Sequence, residues 1–198
     1  MPADPSQATF WLVAATLVDG SDVVIENVYI GPHRGGAVSV LQRMGADIEV
    51  VMRSENTADL RVRSASLKAT DIVPSEIPSL IDELPVLAVA AACAEGITTV
   101  TGAEEMRVKE SDRIATTTKQ LAGLGAQIEE RPDGFVITGS VGCFRGGTVE
   151  SDLDHRIAMT GAVAALVASG SVDVSGWETV SSSYPSFLDD LNALRSAS

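Results

Sequence analysis

The chain has 198 residues, of which 45% are hydrophobic and 4% aromatic, so its core is expected to consist mainly of aliphatic side chains. Asp and Glu number 27 and Lys and Arg only 14, which gives a formal net charge of -13. Because nucleic acids and anionic membranes are bound by basic surfaces, this charge argues against both as partners. A small anionic ligand remains possible, since it needs only a few converging cationic side chains.

The N-terminal residues contain no basic region typical of a signal peptide, and apolar runs such as 84–94 are far shorter than a membrane span. Cys93 and Cys143 have neither metal-ligand nor redox spacing, so we expect free thiols, buried or half-buried, in a reducing compartment. Together these features predict a cytoplasmic protein without a metal site.

Three segments share one pattern: an apolar, Ala-rich helix, a turn that ends in Gly, and a strand rich in β-branched residues. The helices are predicted at 7–18, 83–94 and 157–168, the glycines are Gly20, Gly96 and Gly170, and the strands follow at 23–28, 98–101 and 172–175. Glycine suits this place because it adopts positive φ readily. The helices are apolar nearly all round, which indicates that they are buried.

A second pattern alternates with the first. Helices predicted at 38–44 and 114–124 lead through Gly45 and Gly125 into strands at 47–52 and 127–130, and Asp133-Gly134 is a candidate hairpin turn before a strand at 135–138. Connections are predicted near 53–56, 68–78 and 140–147. Ile114, Leu121 and Leu124 fall near one face, so the helix that carries them is predicted to be amphipathic and to lie at the surface.

The two patterns combine into a unit of the form β-α-β-α-β-β that occurs about three times, the last copy being the shortest. No low-complexity segment or long linker divides the chain. We therefore predict one globular α/β (α+β) domain over residues 1–198, with buried helices that lie parallel to one another.

A residue suited to capping precedes each of the three buried helices: Ser6, Asp82 and Asp154. Capping alone explains these residues. Parallel helices from similar units would nevertheless aim their N-termini at one end of the domain, where free N–H groups and helix dipoles attract anions. That end is therefore the predicted location of a binding site.

Two charged segments lie next to these helix starts. Arg107–Arg113 reads Arg-Val-Lys-Glu-Ser-Asp-Arg and holds 3 of the 14 Lys and Arg residues, while Asp154 is followed by His155 and Arg156. A charge run is often only a solvated face. Here Ser111 is expected to cap the amphipathic helix, and arginines near helix starts suit recognition of carboxylate or phosphate. Glu110 and Asp82 are candidate proton-transfer groups among these cations.

The chain resembles the C-terminal half of the EPSP synthase family. The resemblance rests on Leu84–Ala92, Arg107–Arg113 and Asp154–Met159, with support from Ala3–Ala8 and Tyr184–Phe187. It implies an enolpyruvyl transferase-like fold, in which two domains of three repeated units close over the substrates as an inside-out barrel. This chain would be one of those two domains.

The resemblance also implies an activity: transfer of the enolpyruvyl group from phosphoenolpyruvate to the 5-hydroxyl of shikimate 3-phosphate, with release of phosphate and without a metal or organic cofactor. Asp82 would take the hydroxyl proton and hold shikimate phosphate, and Lys109 would contact the same moiety. Glu110 would protonate the methylene carbon of phosphoenolpyruvate. Arg113 and Arg156 would bind the phosphoenolpyruvate anion.

Several features depart from the family pattern. The N-terminal domain, which the resemblance implies as a partner in cis or in trans, is absent from the chain, so the chain alone is expected to be catalytically incomplete. Many members place a Lys where Ser181–Ser183 stand, and His33-Arg34 matches no expected motif and is assigned no role. His155 is expected only to orient Arg156.

Two alternative functions remain open. The related enolpyruvyl transferase that acts on UDP-N-acetylglucosamine shares the repeat, although Lys109–Arg113 and Asp154–Arg156 count against it. A non-catalytic domain that binds anions or pairs with another protein belongs to a different class. An isolated half would expose the surface that its other domain normally covers, which favours association.

Overall fold

The computed structural model describes residues 1–196. Its α-helices are α1 (Pro5–Leu17), α2 (Gly36–Arg43), α3 (Leu84–Cys93), α4 (Arg113–Gly123), α5 (His155–Ala165) and α6 (Phe187–Ser196). Its strands are β1 (Asp22–Tyr29), β2 (Asp47–Met52), β3 (Thr57–Arg63), β4 (Gly96–Val100), β5 (Gln127–Arg131), β6 (Gly134–Gly139), β7 (Gly147–Glu150) and β8 (Val172–Ser175). Short 3-10 helices span Ile77–Ser79, Glu104–Val108 and Trp177–Ser182.

The strands form three small sheets, one for each repeated unit. Two are antiparallel, with strand orders β1-β3-β2 and β4-β6-β5, and β7 pairs with β8 in parallel. In the hairpin between β5 and β6, Arg131 pairs with Gly134, so the turn residues are Pro132 and Asp133. The predicted hairpin is confirmed, with Gly134 as the first residue of β6.

The opening strand of each unit differs between the copies. In the first two units it is reduced to isolated parallel bridges, Ala3 with Val28, then Lys68 with Glu95 and Ile72 with Val100. In the third unit it is the strand β7. The first two units end in the hairpins β2–β3 and β5–β6, whereas the third ends in α6. The third unit is therefore the shortest copy, as predicted.

The glycines behave differently in the three copies. Gly20 and Gly96 have φ of 81° and 110°, as expected for chain reversal after a helix. The prediction for Gly170 is wrong: it is not among the glycines with positive φ, because α5 already ends at Ala165 and further residues separate the two. Predicted helix ends elsewhere differ by one or two residues from the observed ones.

Helices α1, α3 and α5 contact one another and are largely buried, which confirms the predicted buried helices. Their aliphatic side chains belong to one hydrophobic cluster that includes side chains from all three units. Helix α4 is more buried than predicted. Besides Ile114 and Leu121, its polar residues Thr116, Thr117 and Gln120 are buried, because α4 packs against α3, α5 and β7.

The C-terminal segment packs against α1 through hydrogen bonds and aromatic contacts. Trp11 Nε1 donates to the Tyr184 hydroxyl at 2.9 Å, and Gln7 Nε2 donates to the carbonyl of Ser183 at 2.7 Å. The ring of Phe187 stacks on Trp11 with centroids 4.8 Å apart. Cys93 and Cys143 are half-buried free thiols, as predicted. Among the described residues, no helix combines the length and apolar character needed to cross a lipid bilayer.

Candidate active site

The N-termini of α1, α3 and α5 meet at one end of the fold. The Ser6 hydroxyl, in the first turn of α1, donates to the carboxylate of Glu83, which directly precedes α3. Arg156, in the first turn of α5, donates through Nη1 to the carbonyl of Asp82 at 3.1 Å. Since the three helices also contact one another, they lie side by side with the same end forward, as the repeat predicted.

The capping residues of these helices differ in part from the prediction. Asp154 caps α5 by accepting from the N–H of Arg156 at 2.9 Å, which confirms that assignment. Ser6 does not cap α1: Asp4 does, because the helix begins at Pro5, two residues earlier than predicted. Asp82 does not cap α3, which begins after Glu83 without a side-chain cap. Ser6 and Asp82 are thereby free to make other contacts.

Arg113 is the centre of the cluster. Its side chain is 1% exposed and touches three carboxylates: Nε lies 2.7 Å from Asp154, Nη1 lies 3.0 Å from Asp82, and Nη2 lies 2.5 Å from Glu110. These carboxylates come from the segments before α5, α3 and α4. A buried guanidinium with partners on all sides therefore joins the two charged motifs and Asp82 into one unit.

The start of α4 explains how Arg113 reaches this position. Asp112 caps the helix by accepting from the N–H of Ala115 at 3.0 Å, so the prediction of Ser111 as the cap is wrong. Ser111 instead donates to Asp154 at 3.1 Å. Arg107 bonds to Asp112 at 2.8 Å and to the carbonyls of the β5–β6 turn. Arg107 is thus structural, and it holds the motif against the sheet.

Asp82 faces three cations. Besides Arg113 Nη1, Lys109 Nζ lies 3.6 Å and Arg156 Nη2 lies 3.7 Å from its carboxylate oxygens. Burial opposes ionisation of Asp82, but the charges of Arg156, Lys109 and Arg113 together hold its pKa below the ordinary value. The carboxylate is about one third exposed, so it is both ionised at neutral pH and accessible.

Burial and neighbouring charges act in opposition on the pKa values of Asp154 and Arg113, whereas burial and Arg156 act in the same direction on the pKa of His155. Burial opposes the charged forms of Asp154 and Arg113, yet their contact lowers the pKa of Asp154 and raises that of Arg113. Burial and the charge of Arg156 lower the pKa of His155. The imidazole of His155 is therefore neutral at pH 7, and its role in orienting Arg156 stays a prediction.

The candidate residues differ in their access to solvent. Glu110 has a half-exposed side chain, and those of Lys109 and Arg156 are 31% and 15% exposed, whereas that of Arg113 is inaccessible. The cluster is therefore accessible from solvent through Asp82, Lys109, Glu110 and Arg156. A cavity of about 510 Å³ between the C-terminal half of α1 and α6 is lined by Trp11 and Leu191 and lies at the other end of α1.

The structure adds residues that sequence patterns did not identify. Glu83 is buried against Ser6, and Arg34 Nη2 donates to the Ser6 hydroxyl at 3.1 Å. The only local signal was that Glu83 directly follows Asp82 at the start of an apolar helix. Within residues 1–196, no three His, Cys, Asp or Glu side chains are grouped so that they could hold a metal ion.

Comparison with known proteins gives one consistent result. Residues 1–191 match the family model described as EPSP synthase (3-phosphoshikimate 1-carboxyvinyltransferase). The chain is 51% identical over 198 residues to the 3-phosphoshikimate 1-carboxyvinyltransferase of Synechococcus elongatus, and it covers 44% of that relative. It is 48% identical to the protein of the same name from Synechococcus sp. strain RCC307, of which it covers 45%. In both comparisons 98% of this chain is aligned.

Solved structures agree with these relatives. The EPSP synthase of Acinetobacter baumannii superposes with a TM-score of 0.95 at 40% identity, over 98% of this chain and 46% of that one. The enolpyruvyl transferase NikO of Streptomyces tendae superposes with a TM-score of 0.76 at 19% identity, over 98% of this chain and 43% of that one, which establishes a shared fold alone. The chain thus spans less than half the length of these proteins.

Proposed function

The chain belongs to the EPSP synthase family, and we propose that it forms the C-terminal half of the active site of a 3-phosphoshikimate 1-carboxyvinyltransferase. The other half would come from an N-terminal domain, joined to this one or supplied as a separate chain. The proposed reaction transfers the enolpyruvyl group of phosphoenolpyruvate to the 5-hydroxyl of shikimate 3-phosphate. Since catalytic groups must surround both substrates, we expect this chain to be inactive alone.

One observation carries the proposal: the carboxylate of Asp82 lies within ion-pair distance of Lys109, Arg113 and Arg156. These cations come from the two charged motifs, which are separated by 40 residues or more in the chain. Their convergence on an ionised, accessible carboxylate creates a place where a hydroxyl group can lose a proton beside bound anions.

The reaction forms a bond between the 5-hydroxyl oxygen and C2 of phosphoenolpyruvate, and later breaks the bond from C2 to the phosphate oxygen. In the addition step, Asp82 accepts the hydroxyl proton while Glu110 delivers a proton to the methylene carbon. In the elimination step, Glu110 takes a proton back from the methyl group and phosphate departs with the proton held by Asp82, which restores the double bond. Two carboxylates in separate positions suit these two proton transfers.

The cations divide the binding work according to their exposure. Lys109 and Arg156 are partly exposed to solvent, so they can contact shikimate 3-phosphate and phosphoenolpyruvate directly. Arg113 is enclosed by its three carboxylates, and of these Glu110 is the most exposed. Arg113 can therefore bind the carboxylate of phosphoenolpyruvate only by exchanging one of these contacts, with Glu110 the easiest to displace. The half-buried free thiols fit the reducing cytoplasm as the compartment.

The test is phosphate release from phosphoenolpyruvate in the presence of shikimate 3-phosphate. The chain is assayed alone and after mixing with the N-terminal half of the Synechococcus elongatus relative, which is 51% identical over the shared region. Activity only in the mixture supports the proposal. Turnover by the chain alone would refute the half-site argument.

The alternative functions are separate outcomes of the same experiment. Transfer to UDP-N-acetylglucosamine but not to shikimate 3-phosphate would identify the related transferase. Binding of the N-terminal half without turnover of either acceptor would support a non-catalytic interaction domain. The Asp82→Asn variant distinguishes chemistry from assembly, because it should strongly lower the rate of turnover and leave binding of the two halves intact.

A further inference from the structure

Glu83 has a buried carboxylate that the proposed reaction does not use. The residue is 7% exposed, although it directly follows Asp82, whose side chain is 32% exposed. The two neighbouring carboxylates thus point into different environments. Burial raises the pKa of Glu83, and its hydrogen bond from Ser6 and the charge of Arg156 only partly offset that effect. Such a costly placement requires a compensating contact.

The compensating contact is with the first repeated unit. The buried Ser6 hydroxyl donates to Glu83 Oε1, and Arg34 Nη2 donates to the Ser6 hydroxyl at 3.1 Å. Arg34 in turn lies 3.6 Å from Asp4, the cap of α1. This chain of contacts joins the start of α1 and the loop before α2 to the residue that precedes α3.

The first turn of α3 has no side-chain cap, so the contact between Ser6 and Glu83 bears directly on the position of Asp82. Arg156 holds Asp82 on one side, through Nη1 on its carbonyl at 3.1 Å and Nη2 near its carboxylate at 3.7 Å. Ser6 holds the next residue, Glu83, on the other side. The backbone at Asp82 is therefore clamped between the first and third units.

We propose that Glu83 is a positioning residue: by accepting the hydrogen bond from Ser6, it fixes the backbone from which Asp82 reaches Arg156, Lys109 and Arg113. The acceptor oxygen does this, and the negative charge is not required. The expected effect of Glu83 on kcat rests on the proposed function, whereas its effect on the position of Asp82 concerns this chain alone. Arg34, to which the sequence motifs assigned no role, supports the same clamp from the rim.

The kinetic test compares Glu83→Gln, Glu83→Ala and Ser6→Ala in the mixture of the two halves, with Asp22→Asn as a control. Asp22 pairs with Arg61 at the start of β1 and has no contact with the cluster. We expect kcat to fall about tenfold or more in Glu83→Ala and Ser6→Ala, with a smaller change in KM, because a misplaced base costs mainly the chemical step. Glu83→Gln keeps the acceptor oxygen and should stay within about threefold of the unchanged chain.

The pH profile separates positioning from a loss of folded protein. Asp82 faces Lys109, Arg113 and Arg156, while Glu83 faces Ser6, Arg156, Asp82 and Arg34. Ser6→Ala retains every charge but loosens Asp82 from its cations, so the pKa of Asp82 should rise toward its ordinary value. The acidic limb of kcat then moves to higher pH, which a lower folded fraction cannot cause.

A second readout needs no activity: the pKa of Asp82 in this chain alone, followed through its carboxyl carbon by NMR and assigned with Asp82→Asn. An inactive mixture of the unchanged halves would refute the proposed function, and a higher Asp82 pKa in Ser6→Ala would still support positioning. An unchanged pKa in Ser6→Ala would overturn the inference. So would a Glu83→Gln variant whose kcat falls as far as that of Glu83→Ala.

Discussion

Arg113 and Asp154 form a fully buried ion pair, with Arg113 Nε 2.7 Å from Asp154 Oδ2 and side chains that are 1% and 0% exposed. Asp154 also caps α5 and accepts from Ser111. One carboxylate thus satisfies a helix N-terminus, a buried guanidinium and a hydroxyl. The same guanidinium reaches Asp82 and Glu110, so this pair connects the stability of the fold to the geometry of the candidate site.

Asp154→Asn should destabilise the chain by about 3 kcal/mol, because it leaves the buried charge of Arg113 without its only fully buried partner among the three carboxylates. The asparagine can still cap α5, so the loss reports the ion pair rather than the cap. Urea unfolding of the chain alone measures the free energy. The matched control is Asp22→Asn, which removes an exposed partner of Arg61 and should change stability far less. Equal losses in the two variants would contradict the prediction.

The stability of the chain should fall as the pH is lowered below about 4, because Asp154 and Asp82 have folded-state pKa values below their ordinary value of 3.8. A carboxylate with a lowered folded pKa contributes stability above its unfolded pKa and loses it as the pH falls through the folded one. The decline should be shallower in Asp154→Asn, which cannot titrate at that position. Unfolding free energies at a series of pH values test this.

Titration of Glu83 should affect stability in the opposite direction, which Glu83→Gln reveals by comparison with the unchanged chain. The pKa of Glu83 is raised above 4.5, so its folded state binds a proton more tightly than its unfolded state. That advantage is present below the unfolded pKa and is lost as the pH rises through the folded one. The difference in unfolding free energy, variant minus unchanged chain, should therefore be more favourable to the variant at neutral pH than at about pH 4. A difference that is independent of pH would show that Glu83 does not titrate with folding.

Asp82→Asn should lower kcat in the mixture of the two halves by a factor of about 10² to 10⁴, the usual effect of losing a general base. The amide can still accept hydrogen bonds from the surrounding cations, so KM should change much less. Phosphate release at saturating substrates measures kcat. Retention of most of the activity would assign proton removal to another group, with Glu110 the next candidate.

Arg156→Lys should raise KM for phosphoenolpyruvate by about tenfold or more, since lysine keeps the charge but loses the planar pair of donors. The variant also loses the Nη1 contact to the Asp82 carbonyl, so a fall in kcat is expected as well. Arg61→Lys is the control, because Arg61 makes a comparable two-point contact with Asp22 away from the site. Equal kinetic effects in the two variants would count against a substrate contact.

Much of this protein was predictable from sequence because the signals are local. Apolar runs predicted the buried helices, and Gly20 and Gly96 predicted chain reversals that require positive φ. Asp133-Gly134 predicted the β5–β6 hairpin. The motifs at Arg107–Arg113 and Asp154–Arg156 predicted the family. Each signal spans a few residues, over which backbone preferences and hydrophobic periodicity act directly.

What sequence could not supply was the choice of partners among similar groups. Ser6 and Asp82 both have side chains that can cap a helix. Since α1 begins at Pro5 and α3 begins after Glu83, these two side chains instead contact residues far away in the chain. Glu83 and Arg113 are charged, so their burial could not be predicted from composition. Only the packing of α1, α3 and α5 brought Ser6 to Glu83 and Asp154 to Arg113. The reason is physical: a buried charge is tolerated only where the tertiary structure supplies its counter-charge or hydrogen bond.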